Sequence, residues 1–188
     1  MKEYHNSFEF QINYNAVTKD KLINYFENNN LKIIKDETDL VFEKKWSIFD
    51  GWKLNVLNWE SNIRVKSVDN HKIVIHHTVK TYGFGVISPI AFSSIFEKYI
   101  ENLKQYIINN ESFEKKNNEL VKLGRIKLLK YIVILILGIL AGLYFGTVLK
   151  NLTHIKLFGY LGIFCGALIT QIVINSYLIK INKSKHLV

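Results

Sequence analysis

Three histidines, His71, His76 and His77, fall within the stretch "HKIVIHHTVK" and come nearest, by type and spacing, to a general base or a metal site. The run alternates with period two. On a strand the neighbours His76 and His77 point to opposite faces, so one metal ion cannot take both. The reading is one partly buried and one exposed imidazole, whose best functional use is proton sensing near neutral pH. Serines lie near histidines in the chain, but no nucleophile-elbow spacing and no recognisable pair of carboxylates accompanies them. Gly83-Phe84-Gly85 lacks the third glycine and the strand-to-helix setting of a dinucleotide site. The one cysteine, Cys165, has no disulfide partner and no Cys/His neighbours at zinc spacing. These residues imply no catalytic group, no metal and no cofactor, and the chain reads as a non-enzyme.

Aromatic residues are the more informative set. Trp46, Trp52 and Trp59 surround one turn signal, and "TYGFGVISPIAF", residues 81–92, is an unusually apolar connection carrying Tyr82 and Phe84. Aromatics of this kind fill the core of a small sheet-helix interface. Together with His77 they also define a candidate pocket or lid for an apolar ligand.

The elements that would position these residues are legible as an α+β domain over residues 1–110. "FEFQINY" puts Phe8, Phe10, Ile12 and Tyr14 on one face of a strand. A helix follows, read as capped by Thr18, with Leu22, Ile23 and Phe26 on one side. From Leu31 to about residue 80 the chain alternates between turn signals, the strongest being Asp50-Gly51 in "WSIFDGWKLNV", so four or five antiparallel strands in a meander are expected. "SSIFEKYIENLKQYI" closes the domain as a helix with Ile95, Phe96, Tyr99, Leu103 and Ile107 on its apolar face and a Ser94/Glu97 capping box. The element order is similar to that of helix-grip and pleckstrin-like domains, in which a C-terminal helix closes a curved antiparallel sheet. No diagnostic residue is matched, and no ligand is carried over.

The remainder is a different material. Residues 131–149 and 157–179 contain no Asp, Glu, Lys, Arg or His. A hydrocarbon core of about 30 Å needs about 20 helical residues, so each run is long enough to span a bilayer. The expected order is a basic linker or helical extension over 111–127, spans over 128–149 and 157–180, a short loop over 150–156 and a basic tail over 181–188. Residues 1–110 hold 14 Lys/Arg and 13 Asp/Glu, whereas 111–188 hold 11 and 3. The excess therefore sits beside the apolar runs, which argues for membrane topology and against a nucleic-acid partner. Nine basic residues flank the outer ends of the spans against Lys150 and Lys156 between them, which puts both termini in the cytoplasm of an integral membrane protein, in the cell or inner membrane if bacterial. Tyr131 and Tyr177 fit the cytoplasmic headgroup level.

Glycine spacing inside the spans points to packing. Gly138, Gly142 and Gly146 recur every four residues, and Gly159, Gly162 and Gly166 face them in the second run. In lipid, where apolar burial no longer drives association, removing side chains along one face lets backbones approach. A tight helical hairpin is expected. Counted from Gly166 at about 100° per residue, Gln171 and Asn175 lie about 140° and 180° round the helix, which turns both amides away from the partner helix and makes them candidate oligomer contacts. Gln171 is expected to meet a second copy of the chain or a polar lumen, with a bond inside its own hairpin or exposure to lipid as the alternatives, while Asn175 is also close enough to Lys180 to reach headgroups. The functional expectation is a membrane-anchored binding or sensor module whose cytosolic domain takes a protein or small-molecule partner at the bilayer surface. The alternative is a homo-oligomeric effector whose hairpin permeabilises the membrane when the domain is engaged.

Overall fold

The computed structural model describes residues 3–36, 39–45, 54–69, 71–80 and 87–185, with side chains up to residue 177. The Asp50-Gly51 turn lies outside them. The chain is α+β and forms two compact units, Met1–Arg125 and Ile126–Val188.

The first unit contains one five-stranded antiparallel sheet of β1 (Tyr4–Gln11), β2 (Lys32–Asp36), β3 (Asp39–Lys44), β4 (Ser61–Asp69) and β5 (Lys72–Val79), in the spatial order β1-β5-β4-β3-β2. Strands β2 to β5 are a meander. Strand β1 closes it from the far side, with Tyr4 opposite Val79 and Gln11 opposite Lys72. Helix α1 (Ala16–Asn28) carries the chain from the β1 edge to the β2 edge, and α2 (Ser93–Asn109) lies beside it. Inward residues alternate as the period requires: Ile73, Ile75, His77 and Val79 on β5 are all buried. The rings of α1 and α2 close the core, with Phe26 at 4.7 Å from Phe42, Tyr25 at 5.1 Å from Tyr99 and Phe96 at 5.1 Å from Tyr4.

Local details depart from the sequence reading where a side chain had a better partner. The first strand begins at Tyr4 and ends at Gln11, so Tyr14 is outside it. Asn15, not Thr18, caps α1 by accepting the Thr18 N–H at 2.9 Å, while the Thr18 hydroxyl donates to the Asn13 carbonyl at 2.7 Å. Leu54 to Trp59 are not the second arm of a hairpin. Leu54 has φ 47°, and Val56–Asn58 form a 3-10 turn whose Leu57 N–H donates to the Asn55 side chain. Burial of Val56 and Trp59 outweighs their β propensity there. Ser94 is inside α2 because a 3-10 turn, Pro89–Phe92, runs straight into the helix; Phe92 takes the cap position without a side-chain bond.

Helix α2 ends at Asn110 in the left-handed conformation, φ 57°. The chain then returns to the core. Phe113 packs 4.7 Å from Tyr25 and 4.9 Å from Tyr106. Helix α3 (Glu114–Thr153) begins on the next residue and is continuous into the apolar run. Its first turns belong to the first unit, with Asn117, Leu120 and Gly124 buried. Asn117 accepts from Tyr25 at 3.2 Å and from Asn102 at 3.0 Å, and donates to Asn29 at 3.3 Å. A Cβ at Gly124 would lie 2.6 Å from Val56 Cγ2, so only glycine lets α3 lie this close to the 3-10 turn. The compact unit therefore runs past residue 110 to Arg125.

The second unit is the rest of α3 and α4 (Leu157–Lys185), joined by residues 154–156 with His154 at φ 56°. Both helices are long and apolar enough to cross a membrane.

Candidate functional site

The inward side chain of His77 stands at one end of the β5 face, in a small cavity of about 10 Å³ lined by Leu31, Val56, Trp59, Ser61, Phe96 and Tyr99 among others. Its ring meets Tyr4 edge-on at 5.7 Å and Phe96 at 5.7 Å. Among the described residues neither His77 Nδ1 nor the Tyr99 hydroxyl has a hydrogen-bond partner. Burial pushes the His77 imidazole down to about 3 and raises the Tyr4 and Tyr99 phenols above their ordinary value. The imidazole is thus neutral at physiological pH, an acceptor or donor of hydrogen bonds and not a cation. A guest of about one water's size fits this cavity.

Two of the expected pocket residues, Trp59 and His77, share this cavity. Trp46, Trp52, Tyr82 and Phe84 lie outside the described residues. The other histidines go elsewhere. His76, on the outer face, bonds Ser7 Oγ through Nδ1 at 2.8 Å, and His71 Nδ1 is 2.6 Å from Asn13 Oδ1. Among the described residues no three His, Cys, Asp or Glu side chains converge on a point. The Ser7–His76 pair escaped the sequence reading because its members are 69 residues apart and only strand register brings them together. It sits on an open sheet face, and among the described residues no hydrogen bond from a third group orients the histidine. Lys44 was also missed. It is 5 % exposed and donates to Asn58 Oδ1 at 2.7 Å, on the strand position facing Ser61.

The neutral His77 makes acid sensitivity measurable. Its unfolded form takes up a proton near pH 6.5 and its folded form only near pH 3, so the unfolded state binds the extra proton between those values. Stability falls as pH falls through that window, by up to about 1.4 kcal/mol per unit once the unfolded imidazole is fully protonated, or about 2 kcal/mol between pH 6.5 and 4.5. Urea unfolding followed by tryptophan fluorescence at pH 7 and 4.5 should show this loss in the wild type and a smaller loss in His77→Phe. Equal losses in the two proteins would mean that His77 is charged or solvated in the fold.

The second candidate surface is the seam of the helical pair. A methyl group at Gly142 would overlap the Gly162 carbonyl and lie 2.8 Å from Gly166 Cα; at Gly146 it would lie 2.6 Å from the Phe158 carbonyl. Gly138 faces Thr170 across the same seam. Gly159 differs, because a Cβ there would meet only Lys150 Cδ at 3.8 Å. Beside the seam lies an open apolar groove of about 480 Å³ that includes Phe145, Phe158, Cys165 and Ile169. Asn175 does not turn away from the partner helix: it accepts a hydrogen bond from Tyr131 at 3.3 Å. The seam follows positions four apart, 162, 166 and 170, and so winds round the helix by about 40° per step, which shortens the angular reach to Asn175. Tyr131 is accordingly 3 % exposed, whereas Tyr177 is open. Gln171 is half-buried and engaged in an interaction of its own.

An α+β domain followed by a glycine-seamed pair of apolar helices is the class that fold and site define. No family model matches the chain, and no curated protein and no solved structure matches it significantly.

Proposed function

We propose that the chain is a membrane-anchored, non-enzymatic binding module. In this reading α3 and α4 cross the bilayer as a hairpin with both termini cytoplasmic, and the first unit takes a protein or small-molecule partner at the surface. One observation carries the membrane part. The helices hold each other by glycine backbones and turn Leu137, Leu140, Phe145, Phe164, Ile169 and Ile172 outward, which leaves in water a large apolar surface with nothing to cover it. A neutral, ring-packed imidazole in a water-sized cavity suits core packing better than proton transfer, which needs a group that titrates near the working pH.

A cysteine placed at Thr153, on a Cys165→Ser background, should react with an impermeant maleimide added to intact cells, and one at Lys183 only after permeabilisation. The opposite pattern would invert the topology. Release of the chain by alkaline carbonate would remove the bilayer from the reading altogether.

The oligomeric effector keeps support from the open apolar groove at Phe145 and Phe158. Dye release from vesicles and crosslinking through position 171 separate it from a plain anchor.

A further inference from the structure

We infer that the outer face of α3 over residues 122–130 docks onto the headgroups of anionic phospholipids in the same bilayer, an inference that rests on the membrane reading above. At about 100° per residue, Lys122, Ile126 and Leu129 fall within about 60° of one another, flanked by Leu123 and Lys130. All five are exposed. The opposite side of the same helix carries the buried Leu120, Gly124 and Leu128. The outer face therefore alternates ammonium groups with large apolar side chains, the pattern of a helix surface at the junction of headgroups and acyl chains.

Charge selects the lipid class. Among the described residues Lys122 and Lys130 pair with no carboxylate, whereas Lys116 is bound to Glu111, and Arg125 and Lys127 have other interactions. Two acids stand nearby on the helix. Glu119 is exposed at the upper edge of the face, and Glu114, about one and a half turns further up, accepts from Ser112. Residues 114–130 carry six basic and two acidic groups, a net of +4. With the apolar run starting near residue 128, Lys122 stands about 9 Å above it, within reach of a phosphate by its own side chain. A lysine near an anionic surface is worth about a fivefold increase in association.

The test uses the full chain reconstituted in phosphatidylcholine vesicles containing a minority of phosphatidylserine. The fraction of each spin-labelled lipid motionally restricted by the protein is the readout. Wild type should restrict phosphatidylserine in preference to phosphatidylcholine. Lys122→Ser with Lys130→Ser should lose that preference by up to about fivefold per lysine, while Lys183→Ser with Lys185→Ser keeps it. A preference untouched by the α3 substitutions, or no preference at all with normal restriction of phosphatidylcholine, overturns the inference alone. No restriction of either lipid overturns the membrane reading with it.

Discussion

A fragment ending at Arg125 is expected to fold on its own, and one ending at Asn110 is expected to be at least about 5 kcal/mol less stable and largely unfolded. The difference lies in what the last turns contribute. Phe113 is 3 % exposed between Tyr25 and Tyr106, and Leu120 is 5 % exposed. Truncating one buried Phe and one buried Leu costs about 3–5 and about 2–5 kcal/mol, against a total of about 5–15 for a domain. Loss of Asn117 also strips the Tyr25 hydroxyl and the Asn102 and Asn29 amides of a shared partner, although Tyr25 keeps its bond to the Tyr99 carbonyl at 2.5 Å. Circular dichroism and urea unfolding of the two fragments decide the matter. Equal midpoints would show that the start of α3 is only an attachment.

Gly142→Leu should separate α3 from α4, whereas Gly159→Leu should be tolerated. At Gly142 the obstruction is backbone on the partner helix, the Gly162 carbonyl and Gly166 Cα, which no rotamer change can move. At Gly159 the nearest atom is the end of a lysine chain at 3.8 Å. Replacing glycine by leucine gains up to about 1 kcal/mol of helix propensity, while forcing packed elements apart costs about 1–3 kcal/mol or more. The two substitutions therefore differ in sign. Thermal denaturation of detergent-solubilised protein should lower the midpoint for Gly142→Leu and leave or raise it for Gly159→Leu. A raised midpoint for both would mean that the seam opens at little cost.

Features set by local pattern were readable from the chain, and features set by distant partners were not. Alternation in "HKIVIHHTVK" was enough to put His76 and His77 on opposite faces, because period two is a property of the strand itself; which of them is inward follows from the structure. The meander was readable for the same reason. The cap on α1 was not: Asn15 and Thr18 are both good caps, and the Asn13 carbonyl decides between them by engaging the Thr18 hydroxyl. Val56 and Trp59 look like strand residues, but they are held in a 3-10 turn by burial beside Gly124, far along the chain. Asn175 was misplaced by a fixed angular count because the seam it borders winds round the helix. Of the candidate pocket, only Trp59 and His77 could be located. The cavity they share also depends on Leu31 and Tyr99; the helical period marks Tyr99 as inward-facing but does not say which strand residues it meets.

The position of Gly124 has a consequence for biosynthesis. Strand β1 cannot pair until β5 has been made, and the core stays unsealed until Phe113, Leu120 and Gly124 follow. At translation rates of about 5–20 residues per second, the stretch 111–125 takes about one to three seconds to make. The apolar run begins directly afterwards. If α3 enters a bilayer as proposed, the ribosome presents the first greasy segment for insertion while the preceding domain is only just able to finish folding.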